Sequence, residues 1–232
     1  MAEYFVFKKS GIRDELEQLI RNAIGQVTLP RPIHTVLAQL REIQFVITTN
    51  YDGLLEQEIH RCRRRMPNIN VYDQTNPETG KFQISIRSMH PDEVVIHKMH
   101  GSAEQPKTMV ITQADYIRYL VRLFDVDRGM PEFFRKYIIP DSVLLFLGYS
   151  LEDWDFQVIW EGVLLAYEER KPKIKSYAIV KSSTEFQRDF WRDRNITVIE
   201  HDLTELARML ADEFNLEVPQ LGIAKRTGGA TP

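Results

Sequence analysis

The sequence predicts an α/β fold, a doubly wound and mostly parallel sheet, and three observations carry that reading. Phe45-Val46-Ile47, Val94-Val95-Ile96 and Leu144-Leu145-Phe146-Leu147 are short apolar runs without clean alternation, as expected of strands buried on both faces. Each run stops abruptly at small, polar or titratable residues. Around them, segments with helical spacing alternate with further short apolar runs, the rhythm of a parallel sheet with crossover helices.

The elements follow in order. Ile12, Leu16, Leu19-Ile20 and Ile24 are spaced for a helix, with Ser10 as its N-cap and Gly25 as its end. Pro30 and Pro32 bracket a connection into a second amphipathic piece at Val36, Leu37 and Leu40, which leads to the first strand. After Asp52-Gly53 a helix carries Leu54, Leu55 and Ile59 and ends in Arg61-Cys62-Arg63-Arg64-Arg65 before Pro67. Strands are expected at Val71-Tyr72, at 82–86, from Val94 to His97 and at Met109-Val110-Ile111-Thr112, with Thr112 capping a helix from Gln113 to Phe124. Pro131 opens a helix through Tyr137, followed by the strand Val143 to Leu147 and a helix from about Asp153 to Tyr167. The end is regular: strand Tyr177 to Val180, helix Glu185 to Arg192, strand Ile196 to Ile199 and helix Leu203 to Phe214. Residues 1–218 are expected to form one domain with 1–40 as a helical lead-in, and 219–232 a flexible tail.

In a parallel sheet, ligands bind beyond the carboxyl ends of the strands. That directs attention to Thr48-Thr49-Asn50-Tyr51-Asp52-Gly53, to His97-Lys98-Met99-His100-Gly101-Ser102 and to Gly148-Tyr149-Ser150-Leu151-Glu152-Asp153. An asparagine amide both donates and accepts, an aspartate accepts, and a histidine titrates near neutral pH. Glycine lets a backbone N–H approach a ligand closely, and the N-terminus of a following helix offers donors to a phosphate. A nucleotide suits such a set.

Bulk properties narrow the choice. The chain has 232 residues, 43% hydrophobic and 27% charged, enough for a substantial core, and a formal net charge of −3 that gives no electrostatic argument for a nucleic-acid or acidic-membrane partner. The single cysteine, Cys62, rules out an intrachain disulfide and a four-cysteine zinc site, and fits a reducing cytoplasmic setting. No stretch reaches the roughly 20 apolar residues of a membrane helix.

Taken in order, Thr48-Thr49-Asn50-Tyr51-Asp52, His100-Gly101-Ser102 and Gly148-Tyr149-Ser150-Leu151-Glu152-Asp153 resemble the SIR2-like family, the bacterial relatives of sirtuins, over about residues 36 to 203. The resemblance implies a Rossmann-like fold, with Asn50 and His100 as catalytic residues and Thr49, Asp52, Gly148 and Ser150 binding NAD. Asp202, in His201-Asp202 after a late strand, would face the adenosine. The zinc-free branch with Thr-Thr-Asn-Tyr-Asp resembles bacterial NAD hydrolases that deplete NAD in defence against phage. The implied activity is cleavage of NAD, as substrate, to nicotinamide and ADP-ribose without a metal. The implied partners are NAD or ADP-ribose, together with further copies or another protein of a defence system. Sirtuin deacylases carry a four-cysteine zinc ribbon, so deacylation is not expected. The family's glycine-rich phosphate turn has no counterpart upstream of Asn50, and the fold is expected to be incomplete at its N-terminus.

Blander readings compete at each position. Asn50 and Asp52 also suit an Asx turn, and His100 a core histidine bonded to a carbonyl; the three motifs together favour chemistry. His97 is expected to pack, and Arg61 to Arg65 to form a solvated helix end with Cys62 inert. Trp154, Phe156 and Trp160 are expected to cover the sheet. The rival function is a catalytically silent module that binds NAD or ADP-ribose, or only assembles.

Overall fold

Capping chemistry sets where the helices begin. The structure, a computed structural model, describes residues 13–76, 89–123, 125, 130–134, 138, 142–152, 157 and 175–218. After α1 (Arg13–Gly25), Pro32 starts α2 (Pro32–Gln39), its missing N–H falling where a helix has no use for one. The Asp52 carboxylate accepts the Leu54 N–H (3.0 Å) at the start of α3 (Leu54–Arg63), and Arg64, at φ 54°, ends it in the left-handed conformation. Thr112 and Asp115 exchange side-chain-to-backbone bonds of 3.1 and 3.0 Å at the head of α4 (Gln113–Leu123). Thr184 and Gln187 form the same box for α5 (Glu185–Arg192), and Asp202 caps α6 (Leu203–Phe214).

Among the described residues the four strand pairings are all parallel. β1 (Phe45–Thr48), β2 (Asn68–Val71) and β3 (Val95–Lys98) form one sheet in the order β1-β3-β2; β4 (Leu145–Leu147), β5 (Ser176–Val180) and β6 (Ile196–Glu200) form a second in chain order. β3 is buried along its length and has helices on both sides. Ile96, with Val94 just before the strand, packs on Ala38 of α2 and Ile59 of α3, while Val95 packs on Tyr119 and Leu123 of α4 together with Phe133 and Phe134. Fully burying a side chain such as Ile96 contributes roughly 1.5–3 kcal/mol. The α/β class and the parallel sheet are therefore as the sequence predicts.

Several elements differ from expectation. β1 is only half-buried and Leu145 of β4 is 43% exposed, because these two strands face a cavity of about 400 Å³ along one edge each. The described strands thus make two sheets. Residues 109–112 are not a strand: they follow a single 3-10 turn (Pro106–Thr108), and the Val110 N–H is taken by the His100 carbonyl (2.9 Å). Arg63 is not solvated. It is buried and donates to the carbonyls of Ala38 (2.8 Å), Leu40 (2.6 Å) and Ile43 (3.0 Å), holding the end of α2 and its link to β1. Cys62 fits its inert reading, since burial pushes its thiol up. The strand expected at 82–86, the helix expected at 153–167 with its three aromatic residues, the Ser10 cap and the tail lie outside the described residues.

Candidate functional site

Parallel pairing brings the ends of β1 and β3 side by side, with Thr48 opposite Lys98. The loops beyond them are clasped. The Met99 N–H donates to the Thr48 carbonyl (2.8 Å), the Ala103 N–H to the Tyr51 carbonyl (3.0 Å), and the Tyr51 hydroxyl to the Val110 carbonyl. Gly101 makes the second turn possible: its φ is +86°, and a Cβ there would stand 2.3 Å from the Thr108 carbonyl oxygen.

Asn50 is exposed at this rim, its backbone N–H held by the Thr48 hydroxyl (3.1 Å), and together with Asp52 it lines the cavity between β1 and β4. Beneath them lies Lys98, 1% exposed, whose ammonium donates to the Asp52 carbonyl and to the Glu56 carboxylate (2.7 Å). A buried ammonium persists only when paired and hydrogen-bonded, and both conditions are met here. Lys98 therefore ties the Asn50–Asp52 loop to β3 and to the first turn of α3.

His100 lies in the adjoining loop with a different surrounding. Its side chain is 8% exposed and its ring meets Tyr119 and Tyr116 edge-on, at 4.9 and 6.0 Å between centroids. It is not among the residues lining the cavity that holds Asn50 and Asp52. His97 packs, as expected: its Nδ1 lies 2.6 Å from Asn70 Oδ1, and complete burial lowers it to about 4, so the ring is neutral.

Gly148, Ser150 and Asp202 meet in a second cavity of about 390 Å³, which adjoins the first at Ile33, Tyr149 and Leu203 and also takes in Arg31 and Lys181. Gly148 turns the chain after β4 at φ +77°. The Ser150 hydroxyl accepts the Glu152 N–H (3.3 Å), and Asp202 Oδ1 accepts the N–H groups of Thr204 (2.8 Å) and Glu205 (3.3 Å), which hold its carboxyl below the usual range. Thr49 lines neither cavity. The structure thus gathers the predicted residues into three neighbouring groups: Asn50 with Asp52, His100 behind its tyrosines, and the Gly148, Ser150 and Asp202 set.

Sequence reasoning missed His34 and Arg31. His34, on α2, lines the first cavity; its Nδ1 accepts the Arg31 N–H (3.1 Å), and burial holds it below its ordinary value against the opposing pull of Asp52. Only the helix start between Pro30 and Pro32 marked this segment, and nothing local tells that it lines a cavity with β1. Among the described residues no helix is long and apolar enough to cross a membrane.

An α/β domain with parallel strands, a cavity along the edges of β1 and β4 and an adjoining one at the carboxyl ends of β4, β5 and β6 is Rossmann-like in class. The SIR2-like domain family matches residues 44–199, and the chain belongs to that family. Its curated relatives include proteins named NAD(+) hydrolase ThsA. The one from Enterococcus faecium is 26% identical over 175 residues, covering 74% of this chain and 33% of the relative. That from Bacillus cereus (strain MSX-D12) is 26% identical over 181 residues (78% and 34%), and that from Cytobacillus dafuensis 28% over 160 (68% and 28%). The chain spans about a third of the length of these relatives.

Proposed function

We propose that this chain hydrolyses NAD at the bond between nicotinamide and ribose, giving nicotinamide and ADP-ribose, as a cytoplasmic component of bacterial defence against phage. One observation carries the reading: Asn50 and Asp52 stand in a cavity that adjoins, at Tyr149, a second one holding Gly148, Ser150 and Asp202. Such a pair of spaces suits the two halves of a dinucleotide, and the relatives named NAD(+) hydrolase agree with it.

Cleavage develops oxocarbenium character at the anomeric carbon. The Asn50 amide orients the ribose or the attacking water, and Asp52, with one oxygen already holding the Leu54 N–H, offers the other to the nicotinamide amide. His100 acts as general base on water or a ribose hydroxyl, a contribution typically of about 10² to 10⁴ in rate. Gly148 and Ser150 hold ribose and phosphate, Asp202 faces the adenosine, and Thr49 contributes to NAD binding next to Asn50. Arg31 and Lys181 lie where the pyrophosphate would need countercharge. The domain boundary at residue 218 belongs to the same proposal, as does assembly with further copies or another defence protein.

Chromatography of released nicotinamide tests it. Purified protein should convert NAD, and Asn50→Ala should lower the rate by about 10²-fold or more, the usual cost of lost orientation. Equal rates for the two proteins, or none from the wild type, overturn the enzymatic reading. The silent binding module draws on the position of His100 outside the Asn50 cavity; NAD binding in calorimetry with no nicotinamide released is its signature.

A further inference from the structure

His34 is fixed at the mouth of α2 before any ligand arrives. Its backbone N–H donates to the Arg31 carbonyl (2.9 Å), and its Nδ1 accepts the Arg31 N–H (3.1 Å), so residues 31 and 34 are joined twice across the first turn. Pro32 stiffens the same turn. An imidazole that accepts at Nδ1 and is neutral carries its proton on Nε2. Neutrality follows from position, since burial outweighs the attraction of Asp52 and the other carboxylates nearby. The ring therefore offers an uncharged N–H donor to the cavity it lines, alongside Asn50 and Asp52.

A donor and an acceptor lining one cavity, close enough that Asp52 acts on the His34 ring, complement one functional group well: a primary carboxamide, whose oxygen accepts while its nitrogen donates. We propose that His34 contacts the ligand, donating from Nε2 to the carboxamide oxygen of the nicotinamide ring while Asp52 accepts from the carboxamide nitrogen. This rests on the function proposed above and deepens it by assigning the residue that reads the leaving group. It also predicts which ligands His34 ignores. ADP-ribose lacks the ring, so its affinity does not depend on His34.

The test uses that difference. His34→Gln retains an oxygen for the Arg31 N–H and an N–H₂ for the ligand; His34→Glu retains the cap but replaces the donor with an acceptor. We expect KM for NAD to rise about 10-fold or more in H34E and to stay within about threefold of wild type in H34Q, as loss of one hydrogen bond to a neutral group predicts. The inhibition constant of ADP-ribose should be unchanged in both. If H34E does not fold, His34→Leu replaces it with the same expected separation of the two constants. Equal KM values in all variants, or KM and the ADP-ribose constant rising together, overturn the assignment while leaving the proposed function standing. A wild type that releases no nicotinamide overturns both.

Discussion

His97 shows how far a single residue's surroundings can set its chemistry. Complete burial against Phe134 and Asn70 lowers it to about 4, from an ordinary value near 6.5. The unfolded chain therefore takes up a proton first as pH falls. The stability this neutral ring contributes is complete above about 6.5 and is lost progressively between there and about 4, by up to about 1.4 kcal/mol per pH unit. Urea titrations across that window should show this slope in the wild type and its loss in His97→Asn, which keeps an amide N–H for Asn70. An unchanged slope would mean that another group is responsible. Asp115 acts in a lower window. Although burial opposes its ionised form, N–H donors from Thr112, Arg13 and Ile111 hold its carboxyl below the usual range. Its contribution is present above its ordinary value and disappears as pH falls through the folded one.

At the level of elements, Lys98 joins β3 to the head of α3 through Glu56 and the Asp52 carbonyl. Replacing it with methionine leaves a buried carboxylate unpaired, and Lys98→Met should cost about 3–5 kcal/mol in chemical denaturation. Adding Glu56→Leu should restore much of that stability, because an apolar pair of similar volume is often as stable as the ion pair. It should not restore nicotinamide release, since the Asp52 carbonyl stays unanchored; full recovery of both would deny Lys98 any role in shaping the loop. The helices around this clamp were legible in the sequence because periodicity and caps act over a few residues, as at Thr112 before α4; β2 was placed less well, at Val71-Tyr72 where the strand is Asn68–Val71. The clamp was not legible, because Glu56 is 42 positions from Lys98 and only the fold brings them together. The same limit hid the tyrosine wall of His100, which α4 supplies, and the clamp role of Arg63, whose run of basic neighbours looks like a solvated end.

For the molecule as a whole, the apolar runs of β1, β3 and β4 look alike in sequence, yet only β3 is buried throughout. What separates them is the neighbour each strand has, a non-local property. β1 and β4 border the cavity from different sheets, so a ligand seated there touches both halves of the structure. Saturation with ADP-ribose at about 100 times its dissociation constant should add about 2.7 kcal/mol to unfolding. Differential scanning calorimetry measures that gain; none would show that the folded chain does not bind ADP-ribose.

The order β1-β3-β2 has a consequence during synthesis. Among the described strands β3 comes third along the chain but lies between the two that precede it, in register with Phe45 and Asn68 at the same residue, Val95. The first two strands leave the ribosome well before the segment that will join them, and their apolar side chains wait in solvent meanwhile. Closure depends on contacts between distant parts of the chain, which makes folding slow and the waiting interval hazardous. Translation past Lys98 is the earliest point at which the three strands can pair, and the packing of Val95 on Tyr119, Phe133 and Phe134 comes later still.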